Sequence, residues 1–194
     1  MNDSPPAVGD SPPADYPAEL ERVWLTPDGT PVTLRALRPD DLEREIEFIA
    51  GLSGETLHLR VQHASRGVSR EETVRLLQLD YRDTLAVAAL VPGPAGDRII
   101  GVSRYARTAG SDKAECAIVV ADDWQGRGIG SELMRSLGAA ARSRGIRTLE
   151  GTTLGENRRI LDWAQRFGHV ARTEPNSGGM VTVTLDLESS TPVS

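Results

Sequence analysis

Two short stretches of the chain hold residues whose types and spacing could do chemistry. The first is Gln125–Ser131, within "VADDWQGRGIGSEL", where Gly126, Gly128 and Gly130 alternate with Arg127 and Ile129 just ahead of a helical pattern. A strand that ends in a glycine turn and feeds a helix is an anion site. The first helical turn leaves N–H groups free, and its dipole favours negative charge. A side chain at Gly128 or Gly130 would block close approach or require an unfavourable backbone angle. The second is Glu115, in the strand-like "KAECAIVV". Alternation puts Lys113, Glu115, Ala117 and Val119 on one face and Cys116, Ile118 and Val120 on the other. A carboxylate in an otherwise apolar strand can have its pKa raised, which suits a base working near neutrality. An exposed structural glutamate paired with Lys113 is the competing reading.

Several nucleotide motifs fail on spacing. A P-loop needs Gly-Lys-Ser/Thr, and this stretch has no Lys. The dinucleotide fingerprint is G-x-G-x-x-G on the first strand of a parallel unit, whereas Gly126, Gly128 and Gly130 give G-x-G-x-G after several antiparallel strands. On glycines alone a purely structural turn stays open. Cys116 is a conceivable nucleophile, but its parity turns it away from Glu115 and towards packing. His58, His63 and His169 have no metal-ligand spacing with Cys116 or with one another, so no metal is expected.

The elements that must position these residues follow from periodicity. Residues 22–38 read as a hairpin turning at Pro27-Asp28-Gly29. A helix opens at Pro39 and carries Leu42, Ile46 and Ile49; Gly51 lies near its end. "SGETLHLRVQ" and "SREETVRLLQL" read as two further helices, the second with a Ser69/Glu72 capping box. Three strands follow, "TLAVAAL", "IIGVSRYART" and "KAECAIVV", the first two joined by a loop "VPGPAGD". After the glycine turn comes a helix with Ile129, Leu133, Leu137 and Ala141 on one face, closed by Gly145. A strand "RTLEGTTL", a helix from about Asn157, and strands "HVARTE" and "MVTVTLDL" finish the chain. The order ββααα-βββ-α-β-α-ββ predicts an α/β (mixed α+β) domain with one mixed, mostly antiparallel sheet and helices on both faces.

Composition sets the limits. A chain of 194 residues with 39% hydrophobic and 26% charged residues fits one globular domain. Residues 1–19 hold five prolines and no cation, and read as a disordered acidic tail. The domain is expected over 20–187, with a second loose tail over 188–194. No apolar run is long enough to span a bilayer, so no membrane partner is expected. The N-terminus has neither a basic start nor an apolar core, and there is one cysteine, which together suit a cytoplasmic protein. A net charge of −6 argues against a general nucleic-acid surface. Arg dominates the 22 basic residues, with Lys113 the single Lys, a bias expected of a GC-rich bacterial genome.

"QGRGIG" matches the Gln/Arg-x-x-Gly-x-Gly/Ala signature of the GCN5-related N-acetyltransferases. "LEGTTLGENRRILDWAQRFGH" is similar to that superfamily's next strand and helix. With "LRALRPDDLEREIEFIAGLSGETLHLR", the stretch from Trp24 to Leu187 resembles most the acetyltransferase domain of bacterial protein lysine acetyltransferases. In those enzymes the domain is often fused to a regulatory domain, and none is expected within these residues. The resemblance implies a sheet splayed at its centre and acetyl-CoA as the co-substrate. It places the pyrophosphate on Gln125, Gly126, Arg127, Gly128, Ile129, Gly130 and Ser131, and the pantetheine arm along the backbone of Ile118, Val119 and Val120. Asn157 would bond to the cofactor, although an Asn there also serves as an N-cap. Arg166, and less so Arg159 on the same helical face, would reach a CoA phosphate.

By the same resemblance Glu115 is the general base, and a backbone N–H near Val119 the oxyanion donor. Many relatives place a tyrosine as general acid where this chain has Ala164, leaving water to protonate the thiolate. The implied reaction is direct acetyl transfer to a lysine side chain of a protein, with acyl-CoA synthetases as candidate acceptors. Two alternatives remain open from sequence: acetylation of a small amine, and a non-catalytic acyl-CoA sensor.

Overall fold

The computed structural model describes residues 13–59, 69–94, 96–166, 172–175 and 179–188. Strands β1 (Arg22–Leu25) and β2 (Pro31–Ala36) are followed by helices α1 (Leu42–Ala50), α2 (Gly54–Leu59) and α3 (Arg70–Leu76). Strands β3 (Thr84–Gly93), β4 (Gly96–Arg107) and β5 (Lys113–Val120) lead into α4 (Ile129–Ser143). Then come β6 (Thr148–Leu154), α5 (Arg158–Arg166), β7 (Arg172–Pro175) and β8 (Met180–Asp186). This is the element order that periodicity predicts.

The described strands form one eight-stranded sheet in the order β1-β2-β3-β4-β5-β6-β8-β7. Neighbours are antiparallel throughout except for β5–β6. The final pair does not add in chain order, because β8 inserts between β6 and β7. Strand β3 shows why helices cover both faces: Leu85, Val87, Ala89 and Val91 join one buried cluster, and Ala86, Ala88 and Leu90 another. The first cluster lies under α4 through Ile129, Leu133, Leu137 and Ala141 and takes in Ala164 of α5. The second lies under α1 through Phe48 and Ile49. An amphipathic stripe on α4 and an apolar central strand therefore fix the layers together.

Local chemistry sets the boundaries. Gly29 adopts φ +83° in the β1–β2 turn, and its N–H donates to Thr26 O at 2.8 Å. The Ser69 hydroxyl accepts the Glu72 N–H at 3.2 Å while the Glu72 carboxylate accepts the Ser69 N–H at 2.8 Å, the reciprocal box that starts α3. Gly145, at φ +76°, ends α4. Before α1, a short 3-10 turn at Pro39–Asp41 buries Asp41, which accepts both Arg35 guanidinium nitrogens at 2.6 and 2.7 Å and the Arg38 N–H at 2.9 Å.

Two expectations are corrected. The stretch "VPGPAGD" is largely strand: Val91, Pro92 and Gly93 pair with Arg98, Asp97 and Gly96. Pro92 is tolerated because the pairing of β3 with β2 ends at Leu90↔Thr33, so no ladder needs its missing N–H there. The packed domain also begins before residue 20. The Tyr16 ring meets Tyr81 edge-on at 5.7 Å between centroids, the Arg38 guanidinium lies 4.6 Å from it, and its hydroxyl donates to Ala36 O at 3.3 Å. One aromatic side chain anchors a stretch whose average composition reads as unstructured. Residues 1–12 and 189–194 of the expected tails lie outside the described residues.

Candidate active site

Between β5 and β6 the sheet opens. Their parallel ladder has three rungs, Lys113↔Thr148, Ala114↔Leu149 and Glu115↔Glu150. Beyond them β5 stays paired only to β4, as far as Val120↔Gly101, and β6 only to β8, as far as Leu154↔Met180. Ladder parity decides which polar groups of β5 face the gap. The Thr108 N–H donates to Lys113 O and the Ala121 N–H to Ile100 O, both at 2.9 Å, so odd-numbered residues of β5 direct their N–H and C=O to β4. Cys116, Ile118 and Val120 turn theirs into the gap.

This corrects the expectation for Val119. Its backbone groups belong to the β4 ladder, and its side chain packs in the cluster under α1. An amide donor in this region is therefore one from Ile118 or Val120.

The glycine turn stands at the open end of the gap. Gly126 and Gly128 have φ +80° and +84°, which only glycine adopts without strain, and Gly128 caps α4. Gly130 has no such requirement. A Cβ there would lie 3.5 Å from Ile118 Cδ1 and 3.8 Å from Val120 Cγ2, on the cleft wall. Ile129 is buried in the core and offers only backbone. The Arg127 side chain turns to the β1–β2 hairpin, 3.7 Å from Asp28 and 4.8 Å over the Trp124 ring. It too contributes to the turn through its backbone.

Gln125 ties three elements together. Its amide nitrogen donates to Val120 O at 3.0 Å and to Thr56 Oγ1 at 3.2 Å, and its amide oxygen accepts from Arg159 of α5. Asp122 strengthens the same junction, accepting the Ser53 N–H at 2.9 Å and the Ser53 and Thr56 hydroxyls at 2.7 Å. These bonds, the Ser53 N–H foremost, hold its carboxyl below the ordinary range. Sequence reasoning missed Ser53, Thr56 and Asp122, because their link spans more than sixty positions and leaves no local pattern.

Helix α5 forms the opposite wall. Asn157 is buried; its amide oxygen accepts the Ile160 N–H at 3.2 Å and its nitrogen donates to Thr153 Oγ1 at 3.0 Å. The capping role is thus present, and Asn157 also borders the cleft. Trp163 Nε1 donates to the Ser131 hydroxyl at 2.9 Å, joining α5 to the first turn of α4. The helical spacing of Trp163 with Arg159 was the available signal for it. Ala164 is fully buried in the core, so this position supplies no hydroxyl to act as an acid. The side chains of Arg166 and His58, and all of His63 and His169, lie outside the described residues.

These walls enclose a cleft of about 1190 Å³ running from Gln125 and the glycine turn past Ile118 to Cys116 and Gly151. That exceeds the ~300–1,000 Å³ of common small-molecule sites and suits a long ligand. At its inner end a Cβ on Gly151 would meet Cys116 O at 3.3 Å and Sγ at 3.5 Å. Burial pushes the Cys116 thiol up to about 12, with the charges of Glu115 and Glu150 adding to the shift. A thiol so disfavoured as thiolate is a poor nucleophile.

Glu115 directly precedes the residues of that inner end and is exposed, with no ion-pair or hydrogen-bond partner among the described residues. The pairing with Lys113 that the sequence left open does not form. Lys113 Nζ instead lies 2.8 Å from Glu150 Oε1, on the neighbouring strand. Among the described residues no group of three or more His, Cys, Asp or Glu is arranged to hold a metal ion, and no helix is long and apolar enough to cross a membrane.

Comparison with known proteins agrees with this architecture. The model of the Acetyltransferase (GNAT) family matches residues 57–169. An acetyltransferase of Pseudomonas aeruginosa is 36% identical over 160 residues, covering 82% of this chain and 86% of that protein. Acetyltransferase Pat of Mycolicibacterium smegmatis is 33% identical over 164 residues, 80% of this chain and 48% of its own, so the chain spans about half of that relative. The crystal structure of the GNAT domain of S. lividans PAT is similar with a TM-score of 0.80 at 30% identity, covering 88% of this chain and 99% of that one. A splayed sheet, a glycine turn opening α4 and a family match over more than half of the chain converge: the chain belongs to the GNAT family of acetyltransferases, which use acetyl-CoA.

Proposed function

We propose that this protein transfers acetyl from acetyl-CoA to the side-chain amine of a lysine in a protein, by direct attack within a ternary complex. The observation that carries the reading is Glu115: an exposed carboxylate, free of partners among the described residues, at the point where β5 and β6 separate. A lysine amine is mostly protonated near neutrality, so transfer requires a base within reach of the attacking nitrogen. Glu115 takes that proton. The free N–H groups of the first turn of α4 and the Gly126–Ser131 backbone hold the pyrophosphate. The edge groups of Ile118 and Val120 hold the extended arm as an additional strand would be held. An N–H on this edge also stabilises the oxygen that gains charge during attack.

The length of β5 supports this reading. Val120 lies five positions beyond Glu115, about 17 Å of strand at ~3.3 Å per residue. An anion held at the glycine turn thus leaves room for a long arm to end beside Glu115. A protein acceptor is supported by the sequence resemblance and by the similarity to the PAT and Pat acetyltransferases. Acyl-CoA synthetases are the acceptor class to examine first, and the cytoplasm the compartment.

The test is an acceptor screen by mass spectrometry with acetyl-CoA and either the native protein or Glu115→Gln. Lysine acetylation on proteins that depends on Glu115 supports the reading. Acetylation confined to small amines, or tight acetyl-CoA binding with no transfer, replaces it.

A further inference from the structure

We propose that Lys113 is a site of self-acetylation, its amine being the one that this protein carries to its own base. The inference rests on the assignment of Glu115 as base. Lys113 is the single lysine of the chain, and it lies on the same face of β5 as Glu115, two residues away. Its Nζ is held 2.8 Å from Glu150 Oε1. Glu150 is the register partner of Glu115 on the adjacent parallel strand, so Lys113, Glu115 and Glu150 share one face of the sheet, with the ammonium held by Glu150. The cleft lining reaches Cys116 and Gly151, the residues that directly follow Glu115 and Glu150. The amine and the base therefore lie on one face of the sheet, directly before the residues where the cleft begins.

Two features make transfer possible. The Lys113 side chain is 52% exposed and that of Glu150 37%, so the ion pair is an exchangeable one that yields little net stability. The side chain can leave Glu150 at small cost and swing its nitrogen towards the gap. Glu115 has no partner among the described residues and is free to accept a proton. The step is balanced. Glu115 removes one proton from the ammonium, and the neutral nitrogen attacks the thioester carbonyl carbon. The N–C bond forms as the C–S bond breaks; the nitrogen loses its second proton and the departing thiolate gains one. The products are acetyl-Lys113, coenzyme A as thiol, and one proton released to solvent.

The experiment is incubation of the purified full chain with acetyl-CoA, followed by intact-mass and peptide mapping. The expected result is a single acetyl addition at Lys113, absent in Lys113→Arg, and at least tenfold slower in Glu115→Gln. Its first-order rate constant should not change with protein concentration. No addition at Lys113 in the native chain overturns the inference, as does an addition equally fast in Glu115→Gln or in heat-denatured protein. Lys113→Arg separates this inference from the functional reading. If that variant and the native chain acetylate an acceptor protein equally while the native chain stays unmodified, only the self-acetylation is lost. If neither modifies any acceptor, the functional reading fails instead.

Discussion

Glu115 and Glu150 stand side by side on the last rung joining β5 to β6, and the sheet opens immediately beyond them. Their surroundings differ in one respect that separates their roles. Glu150 holds the Lys113 ammonium at 2.8 Å, while Glu115 has no partner among the described residues. A carboxylate engaged with a cation is poorly placed to take up a proton, and a free one is well placed. Glu115→Gln should therefore lower kcat for acetyl transfer by about 10²–10⁴-fold, the range for losing a general base. Acetyl-CoA affinity should stay close to native, since no cofactor-holding backbone is altered. Steady-state kinetics alongside calorimetric titration of the cofactor separates the two. A kcat within a factor of two of native would remove Glu115 from the mechanism.

The glycine turn offers a pair of substitutions with opposite expected effects. Gly128→Ala forces a side chain into φ +84° and brings its methyl to 3.4 Å from the Trp24 ring. Stability should fall by roughly 1–2 kcal/mol, the cost of a left-handed L-residue, and Tm by a few degrees. Gly130→Ala has ordinary helical geometry and should hold or raise stability, since Ala exceeds Gly in a helix by up to about 1 kcal/mol. Its methyl, however, enters the cleft wall beside Ile118 and should weaken acetyl-CoA binding. Thermal unfolding and cofactor titration on both variants would show the two effects uncoupled. Unchanged affinity in Gly130→Ala would place the cofactor away from this wall.

The elements of this fold were legible in the sequence because each carries its own local signal. The capping box at Ser69, the stripe Ile129–Leu133–Leu137–Ala141 and the glycine at 145 act over a few residues, and the structure keeps them all. The insertion of β8 between β6 and β7 was not legible, since strand order depends on contacts that alternation does not encode. At the site, side-chain parity correctly placed Glu115 and Cys116 on opposite faces. Backbone parity was hidden: that Ile118 and Val120, and not Val119, face the gap follows only from the register with β4. The Gln125–Thr56 and Asp122–Ser53 links were equally hidden, because they join residues about seventy positions apart.

Asn157 combines two roles that one substitution can divide. Its oxygen caps α5 through the Ile160 N–H, and its nitrogen donates to Thr153 Oγ1 at the cleft. Asn157→Asp keeps the cap oxygen and loses the donor, whereas Asn157→Ala loses both. The alanine variant should be less stable by about 1 kcal/mol, and the aspartate variant near native, as Asp caps as well as Asn. If the nitrogen also serves the cofactor, Asn157→Asp should bind acetyl-CoA several-fold more weakly despite its stability. Native affinity in that variant would restrict Asn157 to capping.

The buried pair Arg35–Asp41 makes stability depend on pH in a direction that can be worked out. Burial pushes the Asp41 carboxyl up, but the Arg35 hydrogen bonds and charge, the Arg38 N–H and the Arg44 charge outweigh it. The folded-state pKa therefore lies below the ordinary 3.8. A depressed carboxylate contributes stability that is fully present above its unfolded pKa and is lost as pH falls through the folded one. Asp41→Asn leaves the Arg35 charge buried without its partner and should cost about 3–5 kcal/mol at neutral pH. The gap between native and variant should stay constant from pH 7 to about 5 and narrow below pH 4, where Asp41 of the unfolded chain takes up a proton before that of the folded protein does. Urea unfolding of both proteins across this range measures the gap directly. A gap that widens on acidification would mean that Asp41 is neutral in the folded protein and that Arg35 finds its counter-charge elsewhere.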